Sequence, residues 1–167
     1  MIDRLLAWLR LPMKVFLWAA MLAGALMMLH VTADVLGRAI FNRPIAGTTE
    51  FVSGYYMIAV AFLPWTWVAA TDGHIRVELF TRNLSARKTE WLDAFVTLLT
   101  AAYVSIFTWQ TFVRALQATH AGEAWEAPNG LLFVWPSRWT LPLAGALMVV
   151  YLILRVIADF ARLSRRS

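Results

Sequence analysis

The 167-residue sequence predicts an all-α membrane protein of four transmembrane helices, preceded by an N-terminal interfacial amphipathic helix. Composition is the first reason. Hydrophobic residues make up 60% of the chain and charged ones 15%, against about 45–50% and about 25% in soluble domains, and so short a chain has too little interior to hide the excess. The second is segmentation. Residues 15–33, 51–71, 94–113 and 139–154 contain no Asp, Glu, Lys or Arg, and about 17–25 apolar residues cross the hydrocarbon core. The third is charge placement. With four spans, 11 Lys and Arg fall on the side of the termini and 4 on the other, so the excess of basic residues in cytoplasmic loops puts both termini in the cytoplasm.

The elements follow in order. In residues 1–14, Ile2, Leu5, Leu6 and Leu9 recur at helical spacing opposite Asp3, Arg4 and Arg10, which suits a helix lying in the interface until Pro12 breaks it. The first span covers 15–40. Val31, Thr32 and Ala33 have the small-residue spacing of a signal-peptide cleavage site, but the apolar stretch exceeds the usual length of about 7–15 residues, and an uncleaved helix is expected. Residues 42–47 (NRPIAG) form a turn, Thr48 or Thr49 caps the second span (50–71), and Glu50 sits in its positively polarised first turn. Pro64 removes the donor that the Val60 carbonyl would use, so a kink is expected there.

Between the middle spans, residues 72–93 mix charge with apolar side chains, and Ser85 is placed to cap the helix of the third span (90–118). The segment 120–138 is rich in Gly, Pro and Trp, and Thr140 with Pro142 opens the fourth span (139–158). That span has only 16 charge-free residues, but Arg155 can lift its head to the interface. Trp8, Trp18, Trp65, Trp67 and Trp91 fall near one interface and Trp125, Trp135 and Trp139 near the other, as anchors do. Ala20 and Gly24, Ala101, Ala102 and Ser105, and Ala144, Gly145 and Ala146 permit close helix contact. Residues 1–167 read as one domain.

Among polar residues, His30, Asp34 and Arg38 recur every four positions and form one stripe. Asp34 lies about 28 Å along the helix from Val15 at 1.5 Å per residue, near the outer interface rather than the midplane. Arg38 is placed to face Asp34 on its own helix and Glu50 across the turn. The expected result is a structural ion-pair cluster of His30, Asp34, Arg38 and Glu50, with contact to a partner as the second reading. His74, Arg76 and Glu78 form a polar docking face in the cytoplasmic loop.

The absence of cysteine excludes disulfides, thiolate nucleophiles and iron–sulfur clusters. His30, His74 and His120 fall at depths that cannot meet across one haem iron. No nucleophile with its base, phosphate loop or two-His metal spacing is present, so no enzyme activity, cofactor or metal is expected. The net charge of +5 serves topology and anionic head groups rather than nucleic acid. A self-contained small proton-coupled multidrug-type exporter is the alternative function, weakened by the position of Asp34.

Residues 34–50 (DVLGRAIFNRPIAGTTE), residues 72–78 (DGHIRVE), the entry to the fourth span between Pro136 and Pro142, and the basic tail together resemble the small membrane subunit, of DctQ type, of tripartite ATP-independent periplasmic (TRAP) transporters. The resemblance covers roughly residues 12–160. It implies secondary active transport at the bacterial inner membrane, in which a periplasmic binding protein delivers an organic acid such as a dicarboxylate or sialic acid. A large multi-spanning subunit would hold substrate and sodium. The small subunit would be a non-catalytic scaffold against which the large one moves.

Overall fold

The computed structural model describes residues 2–71, 85–128 and 130–165. Helix α1 (Ile2–Phe41) is followed by a second span in pieces: α2 (Thr48–Phe51), a π-helical turn (Val52–Tyr56), α3 (Met57–Phe62) and α4 (Trp65–Ala70). Helix α5 (Ala86–Ala121) leads into a hairpin of β1 (Ala124–Ala127) and β2 (Gly130–Phe133), then α6 (Trp135–Arg138) and α7 (Thr140–Arg165). Four stretches are long and apolar enough to cross a membrane: Leu5–Phe41, Thr48–Ala70, Arg87–Ala121 and Trp135–Ala161. The protein is thus an all-α, four-helix membrane protein. Its hairpin and the 42–47 turn share one end, termed here the hairpin end; the termini lie at the other.

Helices α5 and α7 form the centre, because small residues let their backbones approach. Ala101, Ala144 and Gly145 are buried in this seam, whereas Ala102 and Ala146 are exposed. A methyl group on Gly145 would collide with the side chain of Thr108. Gly24 plays the same part between α1 and the second span, with Val60 3.6 Å from where its Cβ would stand. Met13, Val104, Met148, Tyr151 and Leu152 join Ala101 in a buried cluster, and Leu6, Leu9, Trp65 and Trp67 pack on its margin. The Tyr151 hydroxyl accepts from Arg155 Nη1 at 2.9 Å and donates to the Ala69 carbonyl at 3.4 Å, tying α7 to the end of α4.

Three expectations are altered. Pro12 does not break the helix: α1 runs continuously from Ile2 to Phe41. Leu6, Leu9 and Met13 all pack on the same cluster, so tertiary contact on both sides of Pro12 outweighs the hydrogen bond it lacks. Neither Thr48 nor Thr49 caps the second span. Gly47, with φ 84°, takes that position, and the Thr48 hydroxyl turns back to the Ile45 carbonyl at 3.0 Å. Ser85 does stand at the N-cap of α5 with extended backbone, but its side chain makes no capping bond.

Pro64 interrupts the second span as expected. Helix α3 ends at Phe62, α4 restarts at Trp65, and the Pro64 carbonyl accepts from Val68 at 3.0 Å.

Candidate functional site

Two junctions at the hairpin end are each built around an acid and an arginine. The first joins α1 to the second span. Asn42 adopts a left-handed conformation (φ 51°) that Asn tolerates better than most residues, and the Arg43 amide reaches back to the Gly37 carbonyl at 3.0 Å. A Cβ on Gly37 would lie 2.8 Å from the Arg43 carbonyl oxygen, so the tight return needs glycine there.

That return brings the Ile45 amide 2.7 Å from Asp34 Oδ1. Asp34 Oδ2 accepts from Arg38, at 2.8 Å from Nη2 and 3.0 Å from Nε. Asp34 is only 5% exposed, and both of its oxygens serve the junction: one holds the turn and the other the helix. His30 lies one turn earlier, with Nε2 3.4 Å from the Thr48 hydroxyl. Its ring lies beside Phe51 and Tyr56, at centroid separations of 5.9 and 6.0 Å.

Glu50 is a correction to the cluster. The sequence suggested that Arg38 faces both acids, yet among the described residues no ion pair joins Arg38 to Glu50; the pairs at this end are Asp34–Arg38 and Glu123–Arg138. The Asp34–Ile45 bond fixes the path of the turn, which brings Thr48 rather than Glu50 against the stripe on α1.

The second junction joins α5 to α7. Gly122, with φ 61°, ends α5: its amide bonds the Thr119 carbonyl and the Glu123 amide bonds the Ala118 carbonyl, the paired closure of a Schellman motif. The chain then forms the hairpin, with Trp125 opposite Leu132 and Ala127 opposite Gly130. The Glu123 carbonyl accepts from the Val134 and Trp135 amides at 2.9 and 3.2 Å. Its carboxylate receives Arg138, with Nη2 at 2.6 Å and Nε at 3.3 Å, while that guanidinium also lies 5.9 Å from the Trp125 ring centroid. The hydrogen bond from Arg138 is the main reason the Glu123 carboxyl stays below the ordinary glutamate range; partial burial opposes it, and the charges of Arg138 and Arg114 assist. Trp139 Nε1 donates to the Thr119 hydroxyl at 3.0 Å.

The hairpin rests on the π-helical turn. The Met57 amide bonds the Val52 carbonyl there, five residues back, which displaces the local register. A Cβ on Gly54 would lie 3.3 Å from Val134 and 3.4 Å from Trp125, so glycine gives the hairpin its seat. The Tyr55 hydroxyl donates to the Phe133 carbonyl. Beside the hairpin a cavity of about 260 Å³ is lined by Thr111, Arg114, Glu123, Arg138 and Leu141.

The structure therefore brings His30, Asp34 and Arg38 together and leaves Glu50 apart. His74, Arg76 and Glu78 lie outside the described residues. Trp8, Trp18 and Trp91 are exposed, with Trp91 against Phe160, whereas Trp65 and Trp67 divide their surface with the core. Trp135 is half-buried at the start of α6. Sequence reading missed the roles of Gly54, Tyr55, Glu123 and Arg138, and took Trp125 only as an interfacial aromatic. Residues 128–130 (Pro-Asn-Gly) between two apolar runs were the available hairpin signal.

Among the described residues no group of three His, Asp or Glu is placed to hold a metal ion. Chemically, both junctions tie helix ends, with each acid engaged by an arginine of its own chain. A search of curated proteins finds no match. A family model described as the DctQ component of tripartite ATP-independent periplasmic transporters matches residues 27–162. That interval contains the end of the first span, the other three spans and both junctions, and the chain belongs to the DctQ family, the small membrane component of TRAP transporters.

Proposed function

We propose that this protein is the non-catalytic scaffold of a sodium-driven TRAP transporter that imports an organic acid, a dicarboxylate, sialic acid or similar, delivered by a periplasmic binding protein. A large multi-spanning subunit binds the acid and sodium, and this chain, in the bacterial inner membrane with both termini cytoplasmic, holds the fixed frame. The loop with His74, Arg76 and Glu78 is a cytoplasmic docking face.

One observation carries the scaffold reading. Asp34, the acid that a proton-coupled exporter would need to load and release, is held at the end of its span by the Ile45 amide and by Arg38. A carboxylate engaged on both oxygens by its own chain is a structural tie, and one that must cycle protons needs a free face. Exposed Trp8, Trp18 and Trp91 support the same reading, since interfacial aromatics resist vertical displacement while a partner slides.

The test is uptake of labelled organic acids into vesicles under an imposed sodium gradient. Vesicles holding the large subunit, this chain and the binding protein should accumulate substrate, and vesicles holding this chain alone should not. Sodium-dependent uptake, or proton-driven export, by this chain alone would overturn the proposal.

A further inference from the structure

Two arginines border the cavity beside the hairpin, and among the described residues only one of them pairs with a carboxylate. The walls are Thr111 and Arg114 of α5, Glu123 just after its end, Arg138 of α6 and Leu141 of α7. Glu123 receives Arg138 through Nη2 and Nε, which leaves Nη1 of that guanidinium without a hydrogen bond among the described residues. Arg114 donates to the neutral Gln117 carboxamide at 3.1 Å, and its charge also reaches Glu123. The Thr111 hydroxyl is taken up by the Thr108 carbonyl at 3.0 Å, so the donors left for a ligand are those of the two guanidiniums. With two positive groups and one negative, the lining keeps one positive charge uncompensated.

Depth identifies what can reach that charge. The charge-free residues 94–113 and the span Arg87–Ala121 share a centre near residue 104. Arg114 stands about ten residues beyond it, about 15 Å at 1.5 Å per residue, which is half of a hydrocarbon core about 30 Å thick. Its bond to Gln117 draws the guanidinium further toward the hairpin end, as arginine does at an interface. The cavity therefore lies at the level of the phospholipid head groups. One turn deeper, Gly145 meets the Thr108 side chain and closes it toward the bundle centre. The geometry points to a binding site for one phospholipid phosphodiester, from the leaflet at the hairpin end, held by Arg114 and Arg138. Guanidinium forks match paired phosphate oxygens, and the Trp125 ring beside Arg138 helps to fix one fork. A phosphodiester carries the single negative charge that the lining lacks, whereas a dicarboxylate would bring two. The volume of about 260 Å³ is below the about 300–1,000 Å³ that encloses a drug-sized molecule, and suits a head group whose chains stay in the bilayer.

Basic residues at the other end also attract anionic lipid, so the readout has to be local. The full chain is placed in phospholipid vesicles containing a phosphatidylglycerol analogue with a photoreactive diazirine in its head group, and adducts are located by peptide mass spectrometry. Wild type should carry adducts within residues 111–141. Arg114→Gln should carry several-fold fewer there, Arg114→Lys should recover part of them, and adducts near the termini should be the same in all three. Leu141→Phe, which fills the cavity and keeps both arginines, should lose the same adducts and decides the matter if Arg114→Gln does not fold. Absence of adducts from 111–141 in wild type, or a yield there that Arg114→Gln leaves unchanged, overturns the site. An unchanged yield in Leu141→Phe overturns it too, since surface charge alone would then explain the labelling. Excess inorganic phosphate that removes these adducts and spares those near the termini would assign the cavity to free phosphate and overturn the lipid source.

Discussion

The two junctions at the hairpin end use the same chemistry with different reach. In the first, Asp34 and Arg38 are four residues apart on one helix, and the acid also holds the turn that follows through Ile45. In the second, Glu123 and Arg138 are fifteen residues apart and meet only because the chain has made a hairpin between them. Asp34 is 5% exposed, whereas the Glu123 and Arg138 side chains are about one third exposed. The first pair is therefore part of how the backbone turns, and the second fastens a turn that Gly122, the strand pairing and the seat on Gly54 already define.

That difference orders the consequences of mutation. Asp34→Ala should have the largest effect, because it leaves Arg38 without its partner and the Ile45 amide without an acceptor inside the junction. A several-fold fall in monodisperse protein recovered from the membrane is expected, and Asp34→Asn, which keeps an acceptor for Ile45, should recover part of it. Equal losses in the two variants would mean that the turn bond contributes nothing. Gly54→Leu comes next. It forces side-chain atoms into the space of Val134 and Trp125, and overpacking of this kind costs about 1–3 kcal/mol. For a chain of this size each kcal/mol lowers the melting temperature by about 2–4 °C. An unchanged melting temperature would show that the hairpin does not depend on that seat.

The same contrast explains what was legible in the sequence. Four spans follow from local composition, and Asp34 with Arg38 follows from helical spacing, so both were accessible without tertiary information. Pro12 and Glu50 were misjudged because their outcomes are set elsewhere. Packing of Leu6, Leu9 and Met13 holds α1 together across the proline, and the Asp34–Ile45 bond decides which residue of the second span meets the stripe on α1. Glu123 and Arg138 carry no periodic relation to each other. Only the turn signal of residues 128–130 betrays that the chain returns, and it says nothing of where the returning arginine lands. The π-helical turn is harder still, since what marks Gly54 is the approach of Trp125 and Val134 from more than seventy residues away.

The smallest effect, and the sharpest test of the comparison, belongs to Glu123→Gln. The pair it breaks is partly solvated, so its loss should cost no more than about 1 kcal/mol, well below the loss from Asp34→Ala. Its pH dependence has a definite sign. Arg138 holds the Glu123 carboxyl below the ordinary glutamate range in the folded protein, so the folded state binds its proton less readily than the unfolded one. The stabilisation is then complete above the ordinary glutamate pKa and disappears as pH falls through the lower, folded-state value. Melting temperatures of wild type and Glu123→Gln should differ by a constant small amount through the neutral range and converge in acid. A gap that persists unchanged in acid would show that the glutamine is penalised for its shape rather than its charge. A gap as large as that of Asp34→Ala would mean that the arginine clasp, rather than the backbone beneath it, defines the second junction.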